Sequence, residues 1–147
     1  MTTRIALTAL VGRTGAVLLR MRDEQSAVRA NRWSLPGGAI RPGETPVNAA
    51  KRHIAEQTGL PVDGEPDLFW HGFLPGTRID VYCFAVGTPA WGPDIVAQQG
   101  VLAEFVPGED ALSGRAFTPA SGFVLGRFLD SNEYLTLAGR FFPSDPV

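Results

Sequence analysis

The opening of the chain alternates between apolar and more polar positions. Between residues 4 and 11, Ile5, Leu7, Ala9 and Val11 recur at every second position, which is the period of a strand that buries one face. A Gly-x-x-Gly turn at residues 12–15 leads to a second apolar run at residues 16–19. This pattern predicts two strands joined by a tight turn.

A helix is predicted in the middle of the chain. Thr45 supplies a capping hydroxyl and Pro46 occupies the first helical position, whereas Gly59 followed by Pro61 is typical of a helix end. We therefore expect a helix from Pro46 to about Thr58.

The two sides of this helix carry different side chains. Val47, Ala50 and Ile54 form an apolar stripe at about 100° per residue and are expected to pack. Three side chains share an adjacent face, which we expect to be presented to solvent. They are His53, Glu56 and Gln57.

The other segments complete an α/β pattern. Residues 22–32 carry five charges without apolar periodicity and predict a loop, either a functional flap or flexible filler. Residues 33–38 predict a short strand that ends in a turn. Further strands are predicted at 67–74, 79–86 and 101–106, the first two as a hairpin, and a second helix at 119–130. The expected fold is one domain over residues 1–147, a mixed sheet flanked by helices.

Composition narrows the class of ligand. The chain has 147 residues and a formal charge of -2, so it offers no broad basic surface for duplex nucleic acid, whereas a small anionic ligand remains compatible. No stretch approaches the roughly 18 apolar residues of a membrane span, and we expect a cytoplasmic protein that does not bind membranes. Cys83 is the only cysteine and lies in an apolar run, which favours a buried structural thiol.

One motif stands out from the rest of the sequence. From Gly38 the chain resembles the Nudix box, which is Gly, five residues, Glu, seven residues, then Arg-Glu-aliphatic-any-Glu-Glu-any-Gly-aliphatic. Seven of its nine fixed positions match over 23 residues. The preceding residues 33–38 and the order of elements are also similar to MutT-like members of the Nudix family. The matching positions are Gly38, Glu44, Arg52, Ile54, Glu56, Gly59 and Leu60.

The resemblance implies a fold and an activity. It implies the Nudix fold, a mixed sheet sandwiched between helices, and hydrolysis of a nucleoside diphosphate linked to another moiety. In the family, carboxylates on the helix bind Mg²⁺ or Mn²⁺, which bridges the diphosphate and activates water. The implied substrate-binding positions are Gly37, Gly38, Glu44 and Arg52. Arg52 would brace Glu44 and the loop from Gly37 to Glu44; the alternative is that Arg52 and Glu56, four residues apart on the helix, form only a surface ion pair.

The sequence departs from the family pattern at two glutamates. His53 and Gln57 replace them, so Glu56 is the remaining carboxylate of the metal-binding trio and Gln57 is a weaker ligand. We expect the metal ion to be weakly held. His53 is open to three interpretations: a general base, a ligand for a softer metal, or a solvated residue without a role. In the family a further carboxylate often comes from the stretch before the last strand, where this chain has Gln98-Gln99. Candidate replacement ligands, by their position after the helix, are Glu104, Glu109 and Asp110.

Two hypotheses of different class follow. The first is a metal-dependent Nudix hydrolase, weak or altered, in which Glu56 and His53 are catalytic. The second is an inactive Nudix-fold module that binds a nucleotide or a partner protein.

The aromatic residues on the predicted strands are expected to pack in the core, and the alternative is that one of them lies at the rim of a cleft. They are Trp70, Phe73, Tyr82 and Phe84. Residues 131–147 are apolar enough to dock on the domain or on a second subunit, so a homodimer is a further expectation.

Overall fold

The described part of the chain forms a seven-stranded sheet with helices on both faces. The computed structural model describes residues 2–22, 32–95 and 101–139, and no helix among them is long and apolar enough to cross a membrane. The strands are β1 (Thr3–Val11), β2 (Val17–Arg22), β3 (Trp33–Ser34), β4 (Gly37–Ala39), β5 (Asp67–Phe73), β6 (Ile79–Gly87) and β7 (Val101–Val106). The helices are α1 (Pro46–Gln57), α2 (Pro119–Leu129) and α3 (Asn132–Gly139).

Strand β1 lies at the centre of the sheet. It pairs in parallel with β6 along its whole length, from Thr3 opposite Ile79 to Val11 opposite Gly87. The other pairs are antiparallel: β2 and β4 lie beside β1, β5 lies beside β6, and β7 lies beside β2. The predicted hairpin and the predicted mixed sheet are thus confirmed.

The period of two along β1 divides the core between the two faces of the sheet. Leu7, Ala9 and Val11 lie in one buried cluster with the apolar side of α2. Ala6 packs with two buried alanines of α1 on the opposite face. The predicted burial of Cys83 is confirmed, and this burial raises the pKa of its thiol.

The segment predicted as a turn at Gly37-Gly38 is instead strand β4. Gly37 pairs with Leu7, and Gly38 pairs with Ala6 on β1. A Cβ atom at Gly37, whose φ is 152°, would collide with the carbonyl oxygen of Ala6. Glycine therefore permits a backbone approach that the turn prediction overlooked.

Some predictions fall outside the described residues. They are the central part of the loop at 22–32, the Gln98-Gln99 pair and the last residues of the segment 131–147. The described part of that last segment forms α3, where Tyr134 packs against Phe128 and its hydroxyl donates a hydrogen bond of 2.6 Å to the carbonyl oxygen of Gly15. This part of the segment is docked, as expected.

The hydroxyl of Tyr134 provides a test of this docking. Tyr134→Phe keeps the ring but leaves the Gly15 carbonyl without its donor, so we expect a loss of about 1 kcal/mol in the free energy of unfolding. Urea denaturation measures this loss. Tyr82→Phe is the control, because the Tyr82 hydroxyl accepts a long, exposed hydrogen bond of 3.4 Å from Arg4. Equal stability of Tyr134→Phe and the parent would show that the contact does not stabilise the fold.

Candidate functional site

Helix α1 begins and ends where the sequence predicted. The hydroxyl of Thr45 accepts a hydrogen bond of 3.2 Å from the backbone N–H of Asn48, and Pro46 follows as the first helical residue. The helix ends at Gln57, next to the predicted boundary. Ile54 is buried, so the helix is fixed to the sheet through the expected apolar stripe.

Glu44 and Arg52 form a paired contact between the loop and α1. The guanidinium donates from Nε to Glu44 Oε2 at 2.8 Å and from a terminal nitrogen to Oε1 at 2.9 Å. The same terminal nitrogen donates to the carbonyl oxygen of Ala39 at 3.1 Å, and Glu44 also accepts from the backbone N–H of Arg41. These donors, with Arg52 first, lower the pKa of Glu44 to about 2. Both side chains thus brace the loop.

The side-chain amide of Gln57 is saturated with hydrogen bonds. Its oxygen accepts from the backbone N–H of Gly37 at 2.9 Å and from the guanidinium of Arg20 at 3.0 Å. Its nitrogen donates to the carbonyl oxygen of Gly37 at 3.0 Å and lies 3.4 Å from Nδ1 of His53. Because an amide offers two acceptor and two donor sites, all four are used.

His53 is buried, so its interpretation as a solvated helix residue is wrong. Its Nε2 lies 2.9 Å from the carbonyl oxygen of Ala39, which only accepts, so Nε2 carries the proton and Nδ1 accepts from Gln57. A Cβ atom at Gly38 would lie 2.9 Å from the His53 ring. The backbone of β4 therefore covers the part of α1 that we expected to face solvent.

Glu56 belongs to the face of α1 that we expected to be exposed to solvent, and it is exposed. Its side chain is 55% exposed, and its carboxylate lies 3.6 Å from a terminal nitrogen of Arg52. Because Arg52 also binds Glu44, Glu56 lies next to the contact that holds the loop.

The donor set does not fit a divalent metal ion in the manner of the family. Within residues 2–22, 32–95 and 101–139, no three His, Cys, Asp or Glu side chains are grouped closely enough to hold a metal ion. The proposed replacement ligand Glu104 is half-exposed and pairs with Arg115 at 3.3 Å. Gln57 and His53 use their polar atoms on neighbouring groups instead, and Glu56 alone is a poor site for a hard cation.

Arg20 contacts the site but was not among the residues predicted from the sequence. It lies on β2 in an otherwise apolar run, is buried beneath α1 and donates to Gln57, a residue 37 positions away. A charged residue inside an apolar strand was the available signal, since such a residue is rarely buried without a partner.

Comparisons with known proteins bear on the family and on the fold. A family model described as the NUDIX domain matches residues 1–120. The MutT protein of Methanosarcina mazei Go1 is 21% identical, with 88% of this chain and 93% of that chain covered and a TM-score of 0.67. A NUDIX hydrolase from Nitrosomonas europaea is 18% identical, with coverage of 90% and 73% and a TM-score of 0.73. The two structures are similar to this chain in fold.

The contact between Glu44 and Arg52 predicts a pH dependence of stability. The pKa of Glu44 falls from 4.5 to about 2 on folding, so the contact stabilises the protein above the higher value and is lost as the pH falls towards the lower one. We expect the difference in melting temperature between the parent and Glu44→Gln to be constant near neutral pH and to shrink below roughly pH 4.5.

A matched control removes a different carboxylate. Glu65→Gln breaks an exposed ion pair with Lys51, which contributes little to stability, so its melting temperature should stay close to that of the parent. A pH-independent difference for Glu44→Gln would contradict the expected role of this contact.

Proposed function

Because the chain belongs to the Nudix family, whose domain model spans residues 1–120, we propose that it binds a nucleoside diphosphate derivative without metal-dependent hydrolysis on α1. The family generally uses divalent metal ions and acts on small nucleoside diphosphate derivatives. This chain keeps the loop of such a site and replaces two of the carboxylates that would hold the metal.

The occupied amide of Gln57 is the observation that supports the loss of catalysis. To bind a metal ion, its oxygen would have to give up the N–H of Gly37 or the guanidinium of Arg20. Each such bond contributes about 1 kcal/mol, and an unsatisfied buried donor costs more. Mg²⁺ requires near-octahedral oxygen ligands and prefers carboxylates. A neutral oxygen with two donors already bound is therefore a poor ligand.

The retained loop supports binding. Gly38, Glu44 and Arg52 occupy matching positions of the box, and Gly37 directly precedes it. Hydrogen bonds of Gly37, Glu44 and Arg52 hold the loop against α1. Such a preformed loop lowers the conformational cost of binding a small ligand. In this proposal, Gly37, Gly38, Glu44 and Arg52 shape the binding site.

A second candidate is a weak hydrolase. It is favoured by Glu56, which keeps its place in the box and has a half-exposed carboxylate beside Arg52. In that case Glu56 would recruit a metal ion only together with the phosphates of the substrate.

A paired assay distinguishes the two candidates. The first assay measures whether ADP, GDP and nucleoside diphosphate sugars release phosphate or nucleoside monophosphate with Mg²⁺ or Mn²⁺. The second measures the effect of the same compounds on the melting temperature of the protein. Stabilisation by at least one compound, with no turnover and no need for metal, is the expected result. Turnover that Glu56→Gln abolishes would establish the hydrolase instead.

The two replaced glutamates provide a further prediction. In His53→Glu with Gln57→Glu, the new carboxylates face the carbonyl oxygens of Ala39 and Gly37 and lie near Glu56, so the melting temperature in chelator should fall. Added Mg²⁺ should restore it and confer hydrolysis. A positioned base contributes about 10²–10⁴-fold in rate, and each single variant should gain less.

The control for this variant adds the same charge elsewhere on α1. Asn48→Glu with Ala55→Glu places two carboxylates at exposed positions of the helix, where they should produce neither a response to Mg²⁺ nor hydrolysis. If His53→Glu with Gln57→Glu behaved like this control, the two replaced glutamates would not account for a loss of metal-dependent hydrolysis in the parent.

A further inference from the structure

A row of three side chains crosses neighbouring strands on the α1 side of the sheet. Arg4 lies on β1, Tyr82 on β6 and His71 on β5, and Tyr82 and His71 are directly opposite each other in their antiparallel pair. The sheet order places β5 at an edge of the described sheet. His71 therefore ends the row at this edge.

The members of this ring row are stacked. The ring centroids of His71 and Tyr82 are 3.9 Å apart, and their planes differ by 16°. The guanidinium carbon of Arg4 lies 5.4 Å from the centroid of Tyr82, and Arg4 also donates to the Tyr82 hydroxyl at 3.4 Å. Tyr82 is thus held from both neighbouring strands.

His71 is oriented as well as exposed. Its Nε2 lies 2.8 Å from a carboxylate oxygen of Asp80, and its side chain is 43% exposed while that of Asp80 is 16% exposed. Tyr82 and Asp80 thus fix both the plane and the rotation of the imidazole. A planar group that is fixed in this way needs little reordering to receive a second ring.

The ring row adjoins the loop of the box. Tyr82 packs with Ile40 and Val47 around the buried cluster beneath the start of α1. The backbone N–H of Ile40 donates to the carbonyl oxygen of Arg4 at 3.0 Å. The row therefore begins at the point where the loop returns to β1.

We infer that the ring row of Arg4, Tyr82 and His71 receives a planar heteroaromatic ring, the base of a nucleotide, stacked on the exposed imidazole of His71. This inference rests on the proposed function and names the part of the ligand that lies beyond the loop. Bases stack on aromatic and histidine side chains through their π faces, which every base has. The row thus favours ligands that carry a base and discriminates weakly among bases.

Three probes separate the contributions of the base and of the phosphates. Adenosine carries the base alone, inorganic pyrophosphate the phosphates alone, and ADP both. We expect His71→Ala to weaken ADP binding about tenfold in calorimetry and to leave pyrophosphate binding unchanged. In the parent, adenosine and ADP should shift the NMR signals of the His71 and Tyr82 rings.

Two variants serve as controls. His71→Phe keeps a ring and should retain most of the ADP affinity that His71→Ala loses. Leu102→Ala removes an exposed apolar side chain of β7 and should leave binding unchanged. Melting temperatures close to that of the parent would show that the variants are folded.

The outcomes distinguish a failure of the ring row from a failure of the proposed function. ADP binding that is equally tight in His71→Ala and the parent would overturn the ring row and leave the proposed function intact. Ring shifts with adenosine, but no binding of ADP or pyrophosphate, would support the row and overturn the proposed function. Unchanged ring signals with both adenosine and ADP would overturn the row.

Discussion

The two-way hydrogen bonding between the side-chain amide of Gln57 and the backbone of Gly37 is the interaction on which the site depends. It joins the last residue of α1 to the first residue of β4 through bonds of 2.9 and 3.0 Å. With this end fixed, β4 passes over α1 closely enough to bury His53, and the loop then returns to the helix through Glu44 and Arg52. The loop is thus attached to α1 at both ends.

Charge distinguishes this arrangement from the one that the family motif implies. Three carboxylates within little more than one helical turn repel one another unless a cation lies between them. An amide and an imidazole carry complementary donors and acceptors, so Gln57 and His53 bind each other and the backbone directly. These two positions therefore stabilise the loop through neutral hydrogen bonds.

The parts of the site that depend on local sequence were predicted, and those that depend on the path of a distant strand were not. Thr45, Pro46 and Gly59 act within a few residues, so the bounds of α1 followed from the sequence. The burial of His53 depends on β4, whose glycines resemble a turn when the sequence is viewed alone. The contact of Arg20 with Gln57 joins residues 37 positions apart, and no local period indicates such a pair.

The ring row is also assembled from distant parts of the chain. Its members come from three strands, so only the register of β1, β6 and β5 brings them into line. The loop and the row share β1, because Ile40 is bonded to the backbone of Arg4. A ligand that contacts both would therefore meet two surfaces fixed to one central strand. Hydrogen bonds and ring contacts within the protein hold both surfaces, so under the proposed function binding at this site would be separable from hydrolysis.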